Sequence, residues 1–311
     1  MKNTFLSTAS SARRTLSAIA LASLALGLIA CGGGGSSTPS GPVAPATTSQ
    51  DCMTKRNVAG YDVVLLIGQS NMSGYGAYFV AGFDTTDPRI KQWTRAGAIA
   101  EAAEPLDHPQ FPFNVDRIGP GLAFGRAYIT DLPANRKVLL VPAAWGGTGY
   151  TTQSWNPGDG LYEQAVQRTR AALDLDPPGN CMAGILWSEG ETDAINLMSG
   201  ADYRKALQTM IRSMRARLAS SGSGDSIPFV LGQFSPDWTG PVPTAAQQAI
   251  LDVINSTPGA VPTTAIASTA GLSSNLTQGL DAAIHLDAAS QRIYGGRFRE
   301  ALKAAVANGP K

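Results

Sequence analysis

The sequence predicts an α/β fold: one three-layer α/β/α domain whose central parallel sheet has about five strands. Three observations carry this. Short runs such as residues 63–67, Val-Val-Leu-Leu-Ile, are apolar throughout instead of alternating, as strands buried on both faces are. Amphipathic stretches of helical length separate these runs, which is the rhythm of βαβ units. The 311 residues are 43% hydrophobic and 15% charged, a composition that fills a large core and excludes a disordered chain. The 24 basic and 23 acidic residues give a net charge of +1, so no basic excess points to nucleic acid.

Residues 1–30 read as a lipoprotein signal peptide. Lys2, Arg13 and Arg14 precede an uncharged run over residues 16–30, a basic segment followed by an apolar one that is short for a membrane span of about 20 residues. It ends Leu28-Ile29-Ala30-Cys31, which resembles a bacterial lipobox with Cys31 as the lipidated first residue of the mature chain. Ala12 before the arginine pair favours the ordinary secretory route over twin-arginine export. Loss of those three cations leaves 21 basic groups against 23 acidic ones. Residues 31–51, rich in Gly, Ser, Thr and Pro, form a flexible tether, and residues 52–311 form the globular domain. With Cys31 lipidated, Cys52 and Cys181 remain. An oxidising compartment lets them pair, and burial of Cys181 as a small hydrophobe is the alternative.

Within the domain, strands are expected over residues 63–67, 138–143, 183–187, 229–232 and 264–268. Helices are expected over residues 121–129, 161–175, 201–218, 245–255 and 288–305. Sites in such sheets lie beyond the carboxyl ends of the strands. After the first strand comes Gly68-Gln69-Ser70-Asn71-Met72. The serine stands where a nucleophile would, although Met72 breaks the Gly-x-Ser-x-Gly elbow, and capping of the next helix is the structural alternative. After the second strand, Gly146 and Gly147 give backbone N–H groups close access to a ligand, as an oxyanion hole requires. After the third, Glu189, Glu191 and Asp193 fall within five residues. Such carboxylates orient a histidine, bind a cation, or cap and solvate the next helix.

A serine hydroxyl needs an imidazole to take its proton, and the chain has two histidines. His108 lies in a Pro-rich loop. His285 lies after the last strand, flanked by Asp281 and Asp287, and is the candidate base. So few histidines give no material for a histidine-built metal site, and no metal is expected.

Gly68-Gln69-Ser70-Asn71-Met72, Trp187-Ser188-Glu189-Gly190-Glu191-Thr192-Asp193 and His285-Leu286-Asp287 together resemble the three blocks of the sialate O-acetylesterase-like domain. That domain includes the acetylxylan esterases of carbohydrate esterase family six, within the SGNH hydrolase superfamily. Gly119-Pro120-Gly121 and Trp145-Gly146-Gly147-Thr148 are similar to its connecting segments, so the likeness runs from about Tyr61 to Ala305. It implies a flavodoxin-like sandwich, Ser70 as nucleophile, His285 as base, and an oxyanion hole built on the N–H groups of Ser70 and of Gly146 or Gly147. The family has Gln where this chain has Glu189, and an ionised carboxylate cannot donate. Glu189 is therefore protonated, turned away or replaced in role. The family's Asp three residues before the histidine is Ala282 here. Glu191 is the first candidate for the acid, because its Gly-Glu context matches; Asp281 is second and Asp287 third.

The resemblance implies a carbohydrate O-acetylesterase that forms an acetyl-enzyme and needs no cofactor. Its partners would be an acetylated glycan such as a sialate or xylan-type ester and, through Cys31, a bacterial envelope membrane. Two other readings keep the fold: a non-catalytic carbohydrate-binding lipoprotein, which Glu189 favours, and a lipase or thioesterase. Trp93, Trp155 and Trp238 fall in loops, where they serve as core packing or as platforms for sugar rings.

Overall fold

Val63, Val64, Leu65, Leu66 and Ile67 are fully buried in strand β1 (Gly60–Gly68) and alternate between two cores. Val63, Leu65 and Ile67 point into one, Val64 and Leu66 into the other. The run lacks polar alternation because neither face of this strand meets water. The computed structural model describes residues 48–77, 80, 82, 84–110, 116–222, 224–279 and 283–309; the expected signal peptide and Cys31 lie outside them.

After helix α1 (Gln50–Thr54) and β1 come a short helix α2 (Ser70–Ser73) and strand β2 (Gly76–Ala77). Strands β3 (Ile90–Trp93), β4 (Ile99–Glu101) and β5 (Arg117–Ile118) follow. Helix α3 (Gly121–Ile129), strand β6 (Arg136–Pro142), helix α4 (Gly160–Leu173) and strand β7 (Cys181–Ser188) lead to a short helix α5 (Glu191–Ile195). The remainder is α6 (Gly200–Leu218), β8 (Phe229–Gly232), α7 (Pro236–Thr239), α8 (Ala245–Ala260), β9 (Thr264–Ala267) and α9 (Ala288–Ala307).

The main sheet has seven strands in the order β4-β3-β6-β1-β7-β8-β9, all parallel except the edge strand β4. The five expected strands are present, and β3 and β4 extend the sheet. Lys91 and Gln92 break the apolar run of β3, and β4 is three residues long and pairs Glu101 with Lys91, where their side chains form an ion pair. Helices α4, α6 and α8 cover one face through Tyr162, Leu207, Ile211 and Ile250. Helices α3 and α9 cover the other through Phe124, Tyr128, Tyr294 and Phe298. Helix α8 runs past the expected end through Pro258, which sits in its last turn, where a missing N–H costs one intrahelical bond.

The folded domain begins before Cys52. Thr48 and Ser49 are buried, and Ser49 accepts the N–H of Cys52 at 3.3 Å as the N-cap of α1. Cys52 and Cys181 form a disulfide with their Cα atoms 5.1 Å apart, joining α1 to the start of β7. Beneath it, the buried Asp62 accepts from Arg136 Nε at 2.5 Å and from the Tyr128 hydroxyl at 2.6 Å, so the charge is paired at the amino end of the sheet. Trp155 and Trp93 are core residues, whereas Trp238 is half-buried on α7. Among the described residues no helix is long and apolar enough to cross a membrane.

Candidate active site

Strand β1 separates β3 and β6 on one side from β7, β8 and β9 on the other. It is therefore the point at which the chain reverses its direction across the sheet, where ligands bind in such folds. Ser70 begins α2 just past its carboxyl end. The turn depends on Gly68 (φ 119°), since a Cβ there would lie 2.1 Å from the carbonyl oxygen of Ser188 on β7.

His285 arrives from the far end of the chain, between β9 and α9. Its Nε2 lies 3.0 Å from Ser70 Oγ. Two residues to which sequence reasoning assigned no role hold it there. Asn71 Nδ2 donates to the carbonyl of Ile284 at 2.9 Å, and Asn71 Oδ1 accepts the N–H of Leu286 at 3.1 Å. The residue after the serine thus grips the backbone on both sides of the histidine. Tyr75 stacks on the imidazole with ring centroids 4.3 Å apart and planes 26° from parallel. Asn71 was visible as part of a motif, whereas nothing in the sequence marked Tyr75. His108 serves the scaffold instead. It is buried, and its Nδ1 accepts the N–H of Ala144 at 3.0 Å. Burial, then the charge of Arg168, push its pKa down to about 3, so it stays neutral.

The acids behave differently from the expectation. Glu191 accepts from the side-chain amides of Asn71, at 2.9 Å, and of Gln69, and it buttresses the serine loop instead of facing the imidazole. Burial raises its pKa, opposed by those two hydrogen bonds. Asp287 is the N-cap of α9, with Oδ1 accepting the N–H of Ser290 at 2.8 Å and Oδ2 accepting the Ser273 hydroxyl at 2.5 Å. The first and third candidates for the acid are thus engaged elsewhere. Asp281 lies outside the described residues. Asp193 accepts the N–H groups of Tyr150 and Thr151 at 2.9 and 2.8 Å and the Thr151 hydroxyl at 2.6 Å. The acidic block after β7 therefore clamps the two neighbouring loops, one carboxylate to each, and is not a solvated turn.

A model of the family described as carbohydrate esterase, sialic acid-specific acetylesterase, matches residues 60–304. The chain belongs to this family. It is 30% identical over 173 residues to a protein of Arabidopsis thaliana named probable carbohydrate esterase, a match covering 49% of the chain and 62% of that relative. It is 27% identical over 200 residues to the probable 9-O-acetyl-N-acetylneuraminic acid deacetylase of Escherichia coli K12, covering 51% of the chain and 61% of that relative. The chain thus aligns with about three fifths of the length of each of these curated relatives. Among solved structures, the fold is similar to that of NanS, with a TM-score of 0.64 and 24% identity over 78% of this chain and 97% of that one. It is also similar to an Arabidopsis thaliana protein, with a TM-score of 0.61 and 23% identity over 80% and 98%.

Two features set this chain apart from the family pattern as read in the sequence. The N–H of Gly146 donates to Gln110 Oε1 at 2.7 Å, so of the two candidate glycines this one is already engaged. Gly147 is the exposed one (φ 74°). Glu189 is buried, and its side-chain neighbours are Tyr203, whose hydroxyl donates to Oε2 at 3.3 Å, and the carboxylate of Asp193. Burial, then the charges of Asp193 and Glu191, raise its pKa well above the usual carboxylate value, which favours the protonated carboxyl over the ionised one.

That proton has a cost in stability. Above the ordinary pKa of 4.5 the unfolded chain releases it while the folded chain holds it, so stability falls as pH rises, by up to about 1.4 kcal/mol per unit. The loss continues until pH reaches the raised folded value. Glu189→Gln keeps the donor and removes the titration. The variant is expected to melt above the parent by a margin that widens as pH rises from about 5. A margin that stays constant over that rise in calorimetry would show that Glu189 is ionised.

Proposed function

We propose that this chain is a serine O-acetylesterase that removes acetyl groups from carbohydrate. The observation that carries this is the 3.0 Å contact between His285 Nε2 and Ser70 Oγ at the end of the central strand. Ser70 Oγ attacks the acetyl carbonyl carbon and passes its proton to Nε2. The tetrahedral oxyanion is held by the N–H groups of Ser70 and Gly147. Collapse expels the sugar oxygen, which takes the proton back from His285, and leaves acetyl-Ser70. Water, deprotonated by the same nitrogen, attacks the acetyl-enzyme and releases acetate. Stacking on Tyr75 favours the transient imidazolium, because an aromatic face attracts a cation. With Glu191 and Asp287 engaged elsewhere, Asp281 is the acid we assign to His285.

The geometry of the pair argues against a binding protein that has lost its chemistry. Acetyl preference separates the proposal from a lipase or thioesterase. p-Nitrophenyl acetate is expected to be cleaved with a kcat/KM at least about tenfold above that for a long-chain ester, since each extra methylene in a pocket that fits or rejects it changes the barrier by about 1–3 kcal/mol. The reverse preference would replace this reading with a lipase.

The anchor is part of the same proposal. A disulfide between Cys52 and Cys181 supports an oxidising compartment, as does the lipobox-like sequence ending at Cys31. We infer a lipid-anchored protein of the bacterial envelope. Clickable palmitate fed to producing cells is expected to label the parent and to leave Cys31→Ala unlabelled; equal labelling of the two would remove the anchor.

A further inference from the structure

A groove of about 450 Å³ opens on the same end of the sheet as Ser70 and His285. Ile195 and Leu197, following β7, form one wall; Trp238, following β8, and Thr244 and Gln247 at the start of α8 form the other. Each wall is tied to one half of the catalytic pair. Glu191, a turn before Ile195, bonds to Asn71 beside Ser70. Asp237, next to Trp238, accepts the N–H and hydroxyl of Ser274 at 2.8 and 2.7 Å, and the following N–H, that of Asn275, donates to the carbonyl of His285 at 2.9 Å.

The lining selects a particular kind of occupant. Leu197 and Ile195 are 78% and 60% exposed, and Leu197 stands in the left-handed region at φ 59°, a conformation that costs a leucine about 1 kcal/mol or more. Phe234 packs edge-on against Trp238 at 5.1 Å and 74°, which fixes the indole. The polar atoms at the start of α8 are spent on one another: Thr244 and Gln247 form a reciprocal capping box, and Gln247 Nε2 donates to the Trp238 carbonyl at 3.1 Å. What remains is an apolar surface with one aromatic face, suited to the C–H face of a pyranose ring. Among the described residues no lysine or arginine lines the groove, and the charged residues adjoining its walls in sequence, Asp193 and Asp237, are both acidic. A sugar carboxylate would meet no counter-ion among the residues that line the groove.

We propose that this groove is the subsite for an uncharged sugar ring adjoining the acetylated one, so that the substrate is an acetylated neutral oligosaccharide or polymer. This rests on the esterase reading above. The experiment compares kcat/KM for an acetylated xylo-oligosaccharide, for O-acetylated sialic acid and for p-nitrophenyl acetate, in the parent, Trp238→Ala and Leu197→Asp. Leu197 is exposed, so its variant keeps the test available if Trp238→Ala fails to fold. The ratio of oligosaccharide to p-nitrophenyl acetate kcat/KM is expected to fall about tenfold in both variants, through KM, the size of one lost stacking contact in a partly wet groove. A ratio that stays within about twofold of the parent, or a parent that prefers acetylated sialic acid about tenfold over the oligosaccharide, overturns the subsite while leaving the esterase intact. A parent that cleaves none of the three esters overturns the esterase reading and the subsite with it.

Discussion

Ser70→Ala is expected to release acetate about 10⁴-fold more slowly than the parent, or slower still, and to melt at nearly the same temperature. The first half follows from chemistry. Without Oγ no acetyl-enzyme forms, and what remains is whatever the oxyanion donors and the binding groove accomplish on a bound ester with water as nucleophile. A loss of 10⁴ corresponds to roughly 5.5 kcal/mol of barrier. The second half follows from the contacts. The side-chain hydrogen bond that Ser70 makes runs to His285, while the turn is held by Gln69 and Asn71. The alanine therefore leaves the scaffold intact. A folded variant that keeps about a tenth of the parent rate would remove Ser70 from the mechanism.

The next largest effect is expected at Asp281. Loss of the carboxylate that fixes the tautomer of a catalytic imidazole lowers turnover by about 10⁴-fold. Asp281→Asn should show that loss in kcat with little change in melting temperature. Glu191→Gln should behave otherwise. Its carboxylate receives two amide donors, so the carboxamide turns an N–H toward one of them and leaves a buried donor unpaired, costing about 1–3 kcal/mol of stability. Displacement of Asn71, and with it the backbone around His285, should lower kcat by about 10²-fold. The melting temperature separates the two roles. If Glu191→Gln collapses turnover at an unchanged melting temperature while Asp281→Asn stays near the parent, the acid is Glu191.

The strands that cross the middle of the sheet were legible because they are buried on both faces, which leaves an unbroken apolar run. The two strands beyond β6 were not: Lys91 and Gln92 interrupt the apolar run of β3, and Glu101 that of the short edge strand β4, which hides their periodicity. Ser70 and His285 were legible because nucleophilic chemistry demands those residue types at strand ends. The hydrogen-bond partners of Glu191 were not legible, because a carboxylate after a strand looks the same whether it faces an imidazole or two amides. That distinction is made by Gln69 and Asn71, about 120 residues away in sequence. Tyr75 had no signal at all, since an aromatic residue five positions past a serine acquires its role only when the chain returns with His285.

The bond between Cys52 and Cys181 also determines how the domain carries a mechanical load. Tension drawn through the N-terminal segment reaches α1 first, and a five-residue helix held by hydrogen bonds alone would peel away under it. The disulfide hands that tension covalently to the first residue of β7, the neighbour of β1 in the middle of the sheet. Parallel strands paired on both sides bear a pull along their length in shear, with many hydrogen bonds resisting together. Ser188 lies at the other end of β7, about 23 Å away along eight residues, so the load enters the sheet at the end remote from the reacting atoms. Reduction of this one bond would reroute a tug into the five residues of α1, and unravelling would begin there while Ser70 and His285 were still in register.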